Sequence, residues 1–188
     1  MRAKKTALRE AMRAQRAALP ARTVSVAGRN VSARLIAFPP YVAADVVLVY
    51  VAKDNEVPLE GLIADALARG KKVYAPSLRD GWFREYGSDG SEGRYGLYEP
   101  TGPRFEATGP GLVLVPLLAW SPAGERLGRG GGWYDRTLSR LGLPSVGIGY
   151  DFQGFASLPT ERTDISLDYI ATESRLYECC SGLSAART

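Results

Sequence analysis

Asp45-Val-Val-Leu-Val-Tyr-Val51, then Pro58-Leu-Glu-Gly-Leu-Ile-Ala-Asp-Ala-Leu-Ala-Arg-Gly70, then Lys71-Lys-Val-Tyr-Ala75 are the stretches whose reading decides the fold. The first is β-branched and almost wholly apolar, the pattern of a strand buried on both faces. The second starts at a proline, places Leu59, Leu62, Ile63, Ala66 and Leu67 on one helical face, and stops at a glycine. The third is a short strand that Pro76 leaves. Strand, helix and strand in that order form a parallel unit. Moving outward, Gly111 to Val115 repeats the buried-strand pattern, and Ser145 to Gly149 and Tyr169 to Thr172 are short strands. A helix is expected from about Gly132 to Leu141, and Trp82 to Tyr86 is a further candidate strand. At the N-terminus, Leu8, Ala11, Met12 and Leu19 form an apolar stripe, Lys5, Arg9, Arg13 and Arg16 form a basic one, and Pro20 ends the helix. A second helix runs from about Thr23 to Leu35, closed by Pro39-Pro40. The alternation predicts an α/β class fold, layered α/β/α around a mainly parallel sheet and Rossmann-like. No internal repeat or linker divides the chain, so residues 1–188 are expected to form a single domain. In that reading residues 1–36 are basic helices packing on the sheet, 45–175 the core and 176–188 a tail.

The 188 residues carry 24 basic and 20 acidic side chains, and no histidine. That zero excludes Ser-His-Asp and Cys-His triads, histidine general bases and every histidine-containing metal site. Nine basic residues and one acid, Glu10, lie within residues 1–34, so this segment is strongly positive and the remainder mildly negative. Such an arm suits a nucleic acid, an anionic small ligand or a targeting peptide. Residues 1–22 lack serine and run directly into a second amphipathic stretch, against a transit peptide. No apolar run is long enough for a membrane span. Cys179 and Cys180, adjacent, make a poor disulfide and point to a reducing compartment, the cytoplasm.

Ligands of open α/β sheets sit beyond the C-terminal ends of the strands. Three polar segments leave strands there: Lys53 to Glu56, Ser121 to Gly132, and Asp151 onward. The middle one reads Ser121-Pro-Ala-Gly-Glu-Arg-Leu-Gly-Arg-Gly-Gly-Gly-Trp-Tyr-Asp-Arg136. Its glycines let the backbone approach a ligand, and consecutive N–H groups in such turns form anion nests. The helix that follows adds the positive end of its dipole. Arg126 and Arg129 add bidentate donors for phosphate oxygens. The loop therefore suits a polyphosphate. It is neither a Walker loop, since no Gly-Lys-Ser/Thr follows, nor a dinucleotide fingerprint, since Trp133 stands where the last glycine would be. Asp135, with Asp164 or Asp168, could hold Mg²⁺ between carboxylates and phosphate, or serve the dipole and a cap. Glu56 suits donors on a ligand ring, or the start of a helix. Trp133, Tyr134 and Tyr150 suit a planar ligand or the core.

At Arg126-Leu-Gly-Arg-Gly-Gly-Gly-Trp-Tyr-Asp135 the sequence resembles the 5-formyltetrahydrofolate cyclo-ligase family. The likeness extends through Lys5-x-x-Leu8-Arg9, Asp54-Asn-Glu56-Val57, Gly70-Lys-Lys-Val73, Gly96-Leu-Tyr-Glu-Pro100, Val115-Pro116-x4-Ser121 and Asp164 to Ala171. The resemblance implies an α/β enzyme that uses ATP and Mg²⁺ to close 5-formyltetrahydrofolate to 5,10-methenyltetrahydrofolate, releasing ADP and phosphate. It implies that Lys5, Arg9, Arg126, Leu127, Gly128, Arg129, Gly130, Gly131, Gly132, Trp133 and Tyr134 bind ATP. Val51, Glu56 and Trp133 would bind the folate, Asp135 and Asp164 the metal, and Arg129 and Asp135 would be catalytic. Trp133 departs from a tyrosine common in the family, and Gly131 from a lysine. The partners expected are ATP and a reduced folate, with a monomer that binds neither nucleic acid nor membrane. The alternatives are a related ATP-binding protein with another acceptor, or a nucleic-acid-binding protein using the basic segment.

Overall fold

A computed structural model describes residues 2–77, 79–87, 90–92, 98–106 and 109–179. The chain runs through α1 (Arg2–Ala17), α2 (Ala21–Ile36), α3 (Pro39–Ala43), β1 (Val46–Leu48), α4 (Glu60–Ala68), β2 (Lys72–Ser77), β3 (Trp82–Glu85), β4 (Ser91–Glu92) and β5 (Tyr98–Glu99). It continues with β6 (Gly111–Pro116), β7 (Ala119–Trp120), β8 (Arg126–Leu127), α5 (Trp133–Leu141), β9 (Ser145–Ile148), a 3-10 turn at Asp151–Gln153, β10 (Tyr169–Ala171) and β11 (Leu176–Glu178).

The main sheet has the order β11-β10-β9-β6-β1-β2-β3. Its five inner strands are parallel, with Val47 of β1 opposite Val73 on one side and Leu112 on the other. Antiparallel strands, β3 and β11, close the two edges. Numbered among themselves, the parallel strands run 2-1-3-4-5, the doubly wound order whose direction of winding reverses between its first and third strands. That switch point lies between β1 and β6.

Alternate residues of the strands feed two cores. Val47, Val49, Val73, Ala75, Leu112, Leu114, Val146 and Ile148 pack under α2, α3 and α4. Val46, Leu48, Tyr74, Val113, Val115 and Phe83 pack with Leu138 and Leu141 of α5. The layered α/β/α arrangement follows from this alternation.

Several sequence expectations shift. Residues 176–178 are not tail but the edge strand β11, while 180–188, with Cys180, lie outside the described residues, as do Gly96 and Leu97. Pro76 stays within β2, past the last β1 partner, where only β3 is its neighbour and an absent N–H is tolerated. Pro39 opens the short α3 rather than merely closing α2. Leu67 is exposed on α4. Helix α2 lies on the sheet, but α1 does not: Met12 and Leu8 pack on Leu118, Ala119, Leu127 and Leu158, so α1 caps the β7–β8 hairpin. Its inward face is Lys5, Met12 and Arg16, with Leu8 and Arg9 half-buried, so the apolar and basic stripes are one face, and Ala11 is exposed.

Gly124 holds the hairpin turn against the strand entering β10. Its φ is +80°, and a Cβ there would stand 2.3 Å from the Leu167 carbonyl oxygen. Gly131, by contrast, has nothing within 4 Å of such a Cβ. Gly124→Ala is expected to lower stability by ~2–4 kcal/mol through backbone strain and overlap, and Gly131→Ala by no more than ~0.5 kcal/mol. Urea unfolding midpoints of the two variants check this.

Candidate functional site at the sheet switch point

A cavity of about 1040 Å³ opens where β1, β2 and β6 end. Tyr50 and Val51 line it after β1, Pro76 at the end of β2, and Pro116 at the end of β6 with Leu117 and Leu118 after it. This is the crevice that the strand order prescribes. The whole glycine loop from Arg126 to Asp135 forms one wall. Neither Gly128 nor Gly131 has anything within 4 Å of the position its Cβ would take, so the backbone there is bare toward the cavity. Gly130 and Gly132 have φ of +98° and +64°, turning the peptide planes ahead of α5.

Helix α1 supplies the opposite edge. Arg9 Nε donates to the Gly128 carbonyl at 2.9 Å, so this helix folds back over the glycine loop. Lys5 Nζ donates to Asp164 Oδ2 at 2.8 Å and stands 3.4 Å from Glu161. Both basic residues line the cavity. Burial opposes the charge on Lys5, but Asp164 and Glu161 outweigh it and raise its pKa above the ordinary 10.5.

Deeper in, two guanidiniums share one carboxylate. Arg129 Nη2 donates to Glu56 Oε1 at 2.9 Å and Nη1 to Asp54 Oδ2 at 2.9 Å. Arg16 Nη2 lies 3.7 Å from the same Glu56 Oε1, while Arg16 Nε donates to the Asp54 carbonyl at 2.8 Å. Glu56 Oε2 accepts the Lys53 N–H. Glu56 is 7% exposed, and Arg16, at 1%, is wholly internal. The guanidinium of Arg129 is thus held by carboxylates in this structure, and a phosphate must displace or join one of them. Burial works against its charge, yet Glu56 and Asp54 raise its pKa overall. Burial lowers that of Arg16, with Glu56 opposing.

Arg126 Nη2 donates to Asp135 Oδ1 at 2.6 Å, and the same oxygen accepts the Ile165 N–H. Asp164 Oδ2 accepts Lys5 and the Glu161 N–H. Each carboxylate therefore has one oxygen engaged, and both line the cavity. A cation held by one or two carboxylates and completed by phosphate fits this donor set.

The residues that the resemblance assigned to nucleotide, folate and metal, from Lys5 to Asp164, all line this cavity. Asp168 does not: it binds the Ser145 backbone and hydroxyl at the start of β9. Tyr150 is core, 1% exposed and stacked on Phe152, with its hydroxyl donated to the Asn55 carbonyl. Arg13 is exposed and lies away from the cavity. Trp133 donates its indole N–H to the Gly81 carbonyl at 3.0 Å, leaving only its ring for a ligand. Sequence reasoning missed Tyr50, Pro76, Pro116 to Leu118, Tyr98, Glu99 and Arg136. The strand-end rule already pointed to the first five. Tyr98 and Glu99 stood within the Gly96–Pro100 likeness but were given no site role; they reach the cavity from the separate β4–β5 sheet.

Fold and site together define a doubly wound α/β protein with a glycine- and arginine-rich loop lining the cavity at its switch point. The model of the 5-formyltetrahydrofolate cyclo-ligase family matches residues 1–173, and the chain belongs to that family. The 5-formyltetrahydrofolate cyclo-ligase of Escherichia coli strain K12 is 31% identical over 180 residues, 89% of this chain and 99% of that one. A solved Aquifex aeolicus 5,10-methenyltetrahydrofolate synthetase superposes with a TM-score of 0.83 at 28% identity, covering 98% of this chain and 95% of that one. A Mycoplasma pneumoniae 5,10-methenyltetrahydrofolate synthetase shares the fold, with a TM-score of 0.73 at 24% identity, covering 90% and 98%.

The Arg129 hydrogen bond holds the Asp54 carboxyl below its ordinary 3.8. A depressed carboxylate contributes stability above its unfolded pKa, and this is lost as pH falls through the folded value. In Arg129→Gln, Asp54 is expected to titrate higher than in the native protein, and the acid limb of the stability profile to flatten. Carboxyl NMR titration of the two proteins measures the change.

Proposed function

We propose that the chain catalyses ATP-dependent closure of 5-formyltetrahydrofolate to 5,10-methenyltetrahydrofolate, releasing ADP and phosphate. The observation that carries this reading is the meeting of the glycine loop, α1 and Glu56 around one cavity in a chain of this family. The loop from Arg126 to Tyr134, with Lys5 and Arg9, binds the nucleotide. Bare peptide N–H groups at Gly128 and Gly131 take phosphate oxygens, and the guanidiniums neutralise charge. Val51, Glu56 and the ring of Trp133 hold the folate. Glu56 accepts from N–H donors of its ring system, and Trp133 offers a face for stacking.

The reaction then proceeds in two steps. The formyl oxygen attacks the γ-phosphorus, the bond to the ADP oxygen breaks, and an imidate-like phosphate forms. The ring-closing nitrogen attacks the activated carbon, phosphate leaves with the C–O electron pair, and the nitrogen loses its proton. Phosphoryl transfer asks mainly for alignment and charge stabilisation. Arg129, freed from a carboxylate by the incoming phosphate, stabilises the transferring group. Among the described residues lining the cavity, seven are cationic (Arg2, Lys5, Arg9, Lys53, Arg126, Arg129, Arg136) and five anionic (Glu56, Glu99, Asp135, Glu161, Asp164). That small positive excess suits a triphosphate partly neutralised by a divalent cation. Mg²⁺ held by Asp135 and Asp164 would neutralise phosphate charge and steady the departing ADP.

The working unit in this reading is a monomer, since one chain supplies every group named. A cytoplasmic setting accords with the adjacency of Cys179 and Cys180 in sequence, a poor arrangement for a disulfide. No helix among the described residues is long and apolar enough to cross a membrane.

The test is appearance of the methenyl chromophore from 5-formyltetrahydrofolate, expected with ATP and absent without it. Arg129→Ala is expected to slow turnover at saturating ATP by ~10²-fold, the scale of a lost transition-state contact. Asp135→Asn is expected to raise the Mg²⁺ concentration needed for half-maximal rate. No chromophore from the native protein with ATP and Mg²⁺ refutes the reading.

A further inference from the structure

The two carboxylates that fit a divalent cation each carry a cation of the protein on one oxygen. Asp164 Oδ2 receives the Lys5 ammonium at 2.8 Å, and Asp135 Oδ1 the Arg126 guanidinium at 2.6 Å. The two cations are not held alike. Arg126 also donates to the Ile165 carbonyl and its side chain is buried, so it is pinned from two sides. Lys5 stands in the first turn of α1, a compact charge on a flexible four-carbon stem that can turn to another acceptor. Its other partner, Glu161 at 3.4 Å, is half exposed, so water takes over that carboxylate when the ammonium leaves. Lys5 and Asp164 line the same cavity as the glycine loop.

Charge decides what can enter. A divalent ion approaching Asp164 alone meets the like charge of Lys5. A triphosphate approaching Lys5 alone meets the like charge of Asp164, and drawing the ammonium away leaves that carboxylate without its cation. When both arrive, the partners exchange. Lys5 turns to a phosphate oxygen, Asp164 takes the metal, and neither charge is left uncompensated. We propose that Lys5 is an exchangeable placeholder for the metal on Asp164. It keeps free divalent ions out of the site and makes metal and nucleotide binding depend on one another, reciprocally as linkage requires. The mobile partner is Lys5 rather than the pinned Arg126. This rests on the nucleotide and metal reading above, and adds to it the step by which the ligands gain access.

Binding of Mn²⁺, as a probe for Mg²⁺, to the protein without nucleotide tests it, the free ion being counted by electron paramagnetic resonance. K5M is expected to bind Mn²⁺ about tenfold more tightly than the native protein, the scale of one contact to a charged group. Calorimetry with no folate present is expected to show the same variant binding MgATP about tenfold more weakly. The two changes have opposite sign, which mere loosening of α1 would not produce. K5Q is expected to match K5M, and K5R, which keeps a cation, to retain most of the native exclusion of Mn²⁺. Between D164N and K5M/D164N no gain in Mn²⁺ affinity is expected. Lys4 is exposed and outside the cavity lining. K4Q therefore removes one charge from the general field, and is expected to change Mn²⁺ affinity less than about twofold. No gain in K5M and K5Q, a gain that persists on the D164N background, or an equal gain in K4Q overturns the proposal. A native protein that binds no MgATP overturns the nucleotide reading instead. Unchanged thermal midpoints establish that the variants are folded.

Discussion

A guanidinium taken out of water is the constraint around which the site is built. Removing such an ion from solvent costs several kcal/mol, so its partners must be in place and stay there. Arg16 meets the demand with the Asp54 carbonyl, the Leu117 carbonyl and the Glu56 carboxylate. Those three groups belong to the turn after β1 and the segment after β6, the two sides of the switch point. Asn55 returns the contact by donating Nδ2 to the Arg16 carbonyl at 3.1 Å. One buried side chain of α1 thereby fixes the floor of the cavity. Asp54 and Asn55 both have positive φ, 51° and 56°, and these bonds, with Tyr150 on the Asn55 carbonyl, hold the turn in that conformation.

The doubling of arginines at Glu56 has a physical consequence. A carboxylate this buried would be costly with no cation beside it. If Arg129 were its sole partner, drawing that arginine toward a phosphate would strand the charge. Arg16 remains behind, so Glu56 stays compensated while Arg129 moves. A ligand N–H can then replace the Arg129 contact on the same oxygen. In the proposed reaction this exchange would link the two substrates: what the nucleotide takes from Glu56, the folate would restore.

How much of this was readable beforehand depends on the kind of interaction. The parallel sheet was legible because a strand buried on both faces must be apolar at every position, as Val46 to Tyr50 are. The glycine loop was legible because bare backbone and guanidiniums recur within a few residues. The inward turn of α1 was half legible. Lys5, Arg9 and Arg16 occupy the same face as Leu8 and Met12, and a reading that sorts residues by polarity splits that face in two. Charged side chains bury when partners wait for them, and those partners, Asp164, Gly128 and Glu56, lie far along the chain. The strand at Leu176 to Glu178 was missed because only three residues pair, and its alternation is too short to stand out. The fate of the Trp133 indole N–H turned on a single carbonyl, that of Gly81, which no local pattern announces.

The lack of histidine then ceases to be a puzzle. In ring closure the nitrogen must lose a proton, but only after its new bond has made it cationic and strongly acidic. Water or the departing phosphate is base enough at that stage. Before it, a strong base would gain nothing. Tyr134 lines the cavity with a buried hydroxyl that has no hydrogen-bond partner, and burial pushes its pKa far up. It is therefore a donor and never the base, which suits an oxygen that gains negative charge during transfer. Beside its carboxylates, the site offers guanidiniums, peptide N–H groups and one buried phenol, each of which would stabilise an anion. The reaction proposed for it creates negative charge on phosphate oxygens and asks for little else.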